Sequence, residues 1–111
     1  MKDSFQTYTQ RQLKGGENLK KILARIFIQQ NIILPGIDTK LITITEVRIS
    51  PDFKHAKVFF MPLAGKEISK ISEILNDNSM DIKKSASREW TAKFMPNLYF
   101  VKDESFDYAE K

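Results

Sequence analysis

Apolar residues recur along this chain with two periods, and the switches between them mark out its elements. From Glu17 onward, Leu19, Ile22, Leu23, Ile26 and Phe27 fall at i, i+3, i+4, i+7 and i+8, the spacing of one helix stripe. Lys20, Lys21, Arg25 and Gln29 take the opposite side. Upstream, residues 1–12 are polar apart from the isolated Phe5 and Tyr8. Gly15-Gly16 weakens any helix through them by roughly 1 kcal/mol each, so a loose start is expected. Ile32 to Leu34 reads as a plug at the core edge, and Pro35-Gly36 ends the unit with a turn.

Beyond that turn the period drops to two. Leu41 to Ile49 is rich in β-branched residues, but its alternation changes phase: Ile42 and Ile44 share one parity, Val47 and Ile49 the other. A β-bulge at Thr45-Glu46 restores all four to one face. Ser50-Pro51-Asp52 supplies a turn with Pro at its second position, so His55 to Leu63 returns antiparallel as the other arm of a hairpin. In that strand Ala56, Val58 and Phe60 alternate with Lys57, Phe59 and Met61, a pattern that predicts cover on both sides.

Gly65 breaks the chain before a helix over Lys66 to Leu75, marked by Ile68, Ile71 and Leu75. Asn76-Asp77-Asn78-Ser79 interrupts it, because such side chains compete for backbone hydrogen bonds, and Asn78 with Asp81 resembles the cap of a third helix. That helix is expected to reach Phe94, burying Ile82, Ala86, Trp90 and Phe94 at i+4 spacing. Pro96 stops it, and Asn97 to Lys102 forms a last strand with Leu98 and Phe100 on one face. The order is α, β, β, α, α, β: an α+β fold with a three-stranded sheet and helices packed on one face.

Composition narrows the class. The 111 residues form one expected domain over 1–111, with 1–12 flexible and 103–111 a short tail. Apolar residues at 41% and charged residues at 29% are the proportions of a chain that folds. The absence of cysteine excludes disulfides, thiolate metal sites and thiol nucleophiles, and suits a reducing compartment. The N-terminus has no apolar signal region, and no stretch approaches the ~18 apolar residues of a membrane span. A cytoplasmic protein without membrane attachment is the expectation.

Candidate chemistry is sparse. The sole histidine, His55, has no cysteine to pair with, and Asp103, Glu104 and Asp107 read as a solvated acidic end. No phosphate loop, dinucleotide fingerprint or metal-ligand spacing occurs, so neither an enzyme nor a cofactor, metal or small-molecule substrate is expected. A formal charge of +4 favours polyanions, and its placement carries the argument. Lys83, Lys84, Ser87 and Arg88 occupy the polar side of the third helix, beside the break at Asn78-Ser79, where a helix N-terminus offers backbone donors to the same anions. Lys20, Lys21 and Arg25 on the first helix are the next candidates for RNA contact. Trp90, Phe94, Tyr99 and Phe100 read as packing rather than base-stacking platforms, although Tyr99 alone of them is free to be exposed.

The element order with a helix break matches a KH-like type II fold, although no glycine lies at the break, where KH domains carry a G-x-x-G loop. Gln10-Arg11-Gln12-Leu13, the run Ile42 to Phe53 with its Ser50-Pro51-Asp52 turn, Ala56-Lys57-Val58-Phe59 and Pro96-x-Leu98-x-Phe100 with Asp103-x-Ser105 carry a more specific likeness. In this order and spacing they resemble the ribosome-binding factor A family over nearly the whole chain. That resemblance implies a monomeric, cytoplasmic, non-catalytic factor that binds the free immature small ribosomal subunit and its rRNA. It also implies a part in late rRNA maturation and in growth in the cold. A generic KH-like RNA-binding module not tied to the ribosome is the alternative. The family's Ala-x-Gly kink is replaced here by Asn78-Ser79-Met80, which leads us to expect a polar turn with a fresh cap.

Overall fold

The α+β architecture follows from burying one helix stripe against one sheet face. The computed structural model describes residues 8–62 and 68–104. In chain order the elements are α1 (Gln10–Gln29), a 3-10 turn (Thr39–Leu41), β1 (Ile42–Ile49), β2 (His55–Pro62), α2 (Ile68–Asp77), α3 (Ser79–Ser87) and β3 (Asn97–Lys102). The sheet runs β1-β2-β3, antiparallel between β1 and β2 and parallel between β2 and β3. Leu19, Ile22, Leu23, Ile26 and Phe27 of α1 meet Ile44, Ile49, Val58, Phe60 and Phe100 in one core, which Leu75 of α2 and Ile82 and Ala86 of α3 complete. Phe5, Leu63, Gly65, Lys66, Ser105 and Asp107, which entered the sequence reading, lie outside the described residues.

The first helix starts earlier than its apolar stripe. Thr9 and Gln12 form a reciprocal capping box, and α1 runs from Gln10 straight through Gly15-Gly16. Gln12 is buried, and its Nε2 donates to the Ile49 carbonyl at 2.8 Å, tying the first turn to the end of β1. The glycines are contact points rather than weak points. A Cβ on Gly16 would lie 2.5 Å from the Val47 carbonyl oxygen, so only glycine lets α1 approach β1 this closely. At Gly15 the neighbours are the Ile49 side chain and the Phe53 ring. At the other end Gln30 turns left-handed and closes α1, while the Thr39 hydroxyl donates to the Phe27 carbonyl. Leu34 alone of the expected plug is fully buried; Ile32 is half-buried and Ile33 lies in solvent.

The bulge falls where the parity change demands it. The β1–β2 register shifts between Ile44 and Glu46, leaving Thr45 as the extra residue and Ile42, Ile44, Val47 and Ile49 all buried. In the hairpin turn the Phe53 amide donates to the Ser50 carbonyl at 2.9 Å. The Ser50 hydroxyl donates to the Asp52 carboxylate and accepts from the His55 amide, and Asp52 also accepts from the Lys54 amide. These bonds, led by that from Ser50, hold the Asp52 carboxyl below its ordinary value. Phe53 takes a left-handed φ of 60°, unusual for an aromatic residue, because its ring is buried against α1 with the Arg11 guanidinium over it.

Further expectations are corrected. Among the described residues no helix lies over the outer side of β2, where Lys57 is exposed and Phe59 and Met61 are only half-buried, in place of the expected cover on both sides. Asn78 holds the expected N-cap position of α3 but makes no side-chain capping bond there; its Nδ2 donates backward to the Ile74 carbonyl, finishing α2 instead. Helix α3 ends at Ser87, where tighter bonds from the Glu89 and Trp90 amides replace the helical pattern. Trp90 is consequently half-buried, with its indole N–H donating to the Phe94 carbonyl, and Phe94 points into solvent. Asp103 is buried rather than solvated, accepting from the Thr45 hydroxyl at 2.6 Å.

One further residue stabilises the sheet edge. Asn76, at the end of α2, accepts from the Phe100 amide and donates to the Phe100 carbonyl. A side-chain amide thus takes the place of a fourth strand against β3, whose free edge would otherwise invite pairing with another chain.

Candidate nucleic-acid interface

The basic residues singled out from the sequence divide into two groups in three dimensions. Lys84 and Arg88, four residues apart near the end of α3, are exposed and share one side. Lys21 and Arg25 are likewise four apart and exposed on α1. Arg25 forms an ion pair with Glu89, next to Arg88, so the basic sides of α1 and α3 meet where α3 ends. The exposed pair itself adds little stability, but it fixes the direction in which Arg25 points. Lys20 is half-buried on the same helix, and the Ser87 hydroxyl is occupied by a bond to the Lys84 carbonyl.

Lys83 turns the other way. It is half-buried, and its Nζ donates at 2.8 Å to the side-chain oxygen of Asn97, the first residue of β3. Asn78 and Ser79 are half-buried at the break, and the residues flanking them include the exposed carboxylates Asp77 and Asp81. Two negative charges beside the start of α3 work against an anion at that helix end, so the cations further along α3 are the stronger part of this surface. Sequence reasoning gave no part to Glu89 or Asn97, the residues that orient Arg25 and Lys83. A local pattern holds no signal for either, since the partners lie 64 and 14 residues apart.

Such an arrangement is suited to grip a phosphate backbone by charge. Among the described residues no group of three histidine, cysteine or acidic side chains is placed to hold a metal. Among the same residues no helix is long and apolar enough to cross a membrane.

A family model described as ribosome-binding factor A matches residues 11–111. The chain belongs to the ribosome-binding factor A family. It is 40% identical to the ribosome-binding factor A of Pelagibacter ubique over 103 residues, covering 93% of this chain and 84% of that protein. The fold resembles the crystal structure of ribosome-binding factor A from Thermus thermophilus, with a TM-score of 0.68 at 20% identity, covering 86% and 97% of the two chains. It also resembles a homology model of Thermus thermophilus ribosome-binding factor A fitted into a cryo-EM map of a 30S complex. There the TM-score is 0.63 at 21% identity, with 80% and 91% covered.

The residues that carry the family likeness are mainly scaffolding. Gln12 docks α1 on β1, the Ser50-Pro51-Asp52-Phe53 run builds the hairpin and its contact with α1, and Asp103 holds the bulge residue Thr45. Membership of the ribosome-binding factor A family therefore accounts for the fold by named contacts. The basic groups on α1 and α3 stand outside these motifs.

Proposed function

We propose that this protein is a monomeric, single-domain, cytoplasmic assembly factor that binds the free immature small ribosomal subunit through its rRNA. The observation that carries this reading is family membership over residues 11–111, joined by a relative placed in a 30S complex. The physical support is the meeting of basic sides from α1 and α3, where Lys21, Arg25, Lys84 and Arg88 can release counterions from phosphates without any base-specific contact. A factor held chiefly by charge and shape leaves when the mature rRNA fold competes for the same phosphates. The finer reading, drawn from the family resemblance, adds support of late rRNA maturation and of growth in the cold.

Sedimentation of the chain with purified immature and mature small subunits tests the reading. Preferential co-migration with the immature particle is the expected result. Equal affinity for small subunits and unrelated single-stranded RNA would replace it with a generic RNA-binding module, and no association with either particle would remove it.

A further inference from the structure

The sheet face that no helix among the described residues covers is polarised along its length. Opposite the core, the register sets Arg48 of β1, Lys57 of β2 and Tyr99 of β3 side by side across all three strands. Neighbouring strands lie about 4.8 Å apart, so this row spans roughly 10 Å. His55 stands two residues from Lys57 on the same face, its ring 5.6 Å from that of Tyr99 and its Nδ1 3.2 Å from the Tyr99 hydroxyl. The Arg48 guanidinium sits 5.2 Å from the centre of the Phe59 ring, and its Nε donates to Glu46. At the far end of the face the charge reverses, with Asp103 and Glu46 near the bulge.

The cationic end carries a shallow groove of about 260 Å³ whose walls include Tyr8, Arg48, His55, Lys57 and Tyr99. Tyr99 is half-exposed although no solubility requirement places a tyrosine there. Lys57 forms no ion pair among the described residues. One bond links the groove wall to α3: Lys83 bonds to Asn97, which pairs in the sheet with His55.

We propose that this open face is a second RNA-contact surface, on which Tyr99 stacks an unpaired nucleobase while Lys57 and Arg48 take the adjoining phosphates. It deepens the ribosomal reading above and rests on it for the source of the RNA. A single strand fits better than a duplex, because only unpaired bases present a free face to a ring on a flat sheet. Charge argues for nucleic acid over a protein partner: cations and exposed rings gather at one end, where the nearby carboxylates are already engaged, Glu46 by Arg48 and Asp52 by the Ser50 hydroxyl and the Lys54 amide. Lys83 and Asn97 then join the two surfaces, so that one RNA segment passes from α3 onto the sheet.

The test is a backbone-amide NMR titration of the full chain with a mixed adenine and uracil ribo-octamer, with affinities measured by fluorescence anisotropy. Shifts at residues 48, 57 and 99 are expected. Tyr99→Ala should weaken octamer binding by about tenfold or more, and Tyr99→Phe, which keeps the ring, should stay within about twofold of wild type. Lys57→Ala should flatten the salt dependence by about 0.7 in log K against log salt. Thermal unfolding of each variant separates lost binding from lost fold, and the wild-type shift map needs no variant. Shifts confined to α1 and α3, an unchanged affinity in Tyr99→Ala, or no octamer binding would each overturn the proposal. So would crosslinks from position 99 to ribosomal protein in place of rRNA within a subunit complex. Subunit sedimentation is scored separately: its failure with octamer shifts intact removes the ribosomal reading and leaves this face, and the reverse removes this face alone.

Discussion

Replacing Gly16 with alanine sets two effects of opposite sign against each other. In an isolated helix the change favours folding by about 1 kcal/mol, since alanine loses less backbone freedom and extends helix propensity. Here the new Cβ would lie 2.5 Å from the Val47 carbonyl oxygen, a backbone atom that cannot rotate aside. Relief to even a tight contact needs α1 and β1 to separate by about half an ångström, which strains the Gln12–Ile49 bond and loosens Leu19 and Leu23 in the core. Overpacking of this kind costs about 1 to 3 kcal/mol, and an immovable neighbour puts it at the upper end. The net expectation is a loss of about 1 to 2 kcal/mol, or roughly 4 to 15 °C in Tm for a domain of this size. Gly15→Ala is the control: its Cβ would meet only side-chain atoms of Ile49 and Phe53, at 3.1 Å or more, which can shift, so its effect should stay within about 1 kcal/mol of zero. Urea unfolding followed by circular dichroism and Trp90 fluorescence measures both. A Gly16→Ala protein as stable as wild type, or a Gly15→Ala protein that is the weaker of the two, would refute the close-approach argument.

Asn76→Ala should cost about 1 to 3 kcal/mol by leaving the Phe100 amide unpaired and its carbonyl with only the long bond from the Ser72 hydroxyl, and amide exchange at Phe100 should accelerate more than at Leu98. For Asp52, a folded pKa below the ordinary 3.8 means that its contribution is present above the unfolded value and is lost as pH falls through the folded one. The stability advantage of wild type over Asp52→Ala should therefore be full near neutrality and shrink below about pH 4 in acid unfolding curves; a gap that stays constant there would show that the carboxylate charge is irrelevant. Replacing Lys84 and Arg88 together with alanine should flatten the salt slope of subunit binding by about 1.5 units with little change in Tm, since both are exposed, and an unchanged slope would shift the contact to Lys20, Lys21 and Arg25.

What the chain determined by itself is whatever one-sided burial writes into local spacing. The α1 stripe, the bulge beside Ile44, the Ser50-Pro51-Asp52 hairpin and the inward Leu98 and Phe100 were all legible, because each rests on neighbours a few residues apart. The family motifs were legible for the same reason, as short runs with fixed spacing. Tertiary structure alone decided the rest. The pair Gly15-Gly16 reads as a weak helix until β1 lies against it, and Asn76 reads as an interruption until β3 offers its free edge. The stop of α3 at Ser87 placed Trp90 and Phe94 against expectation, and β3 brought Tyr99 beside Lys57 and Arg48. The candidate surfaces depend on such meetings: Arg25 with Glu89, Lys83 with Asn97, and a row of side chains from three strands. Local periodicity records which face of an element is buried, whereas the partner that each exposed side chain finds is set only when distant segments are packed together.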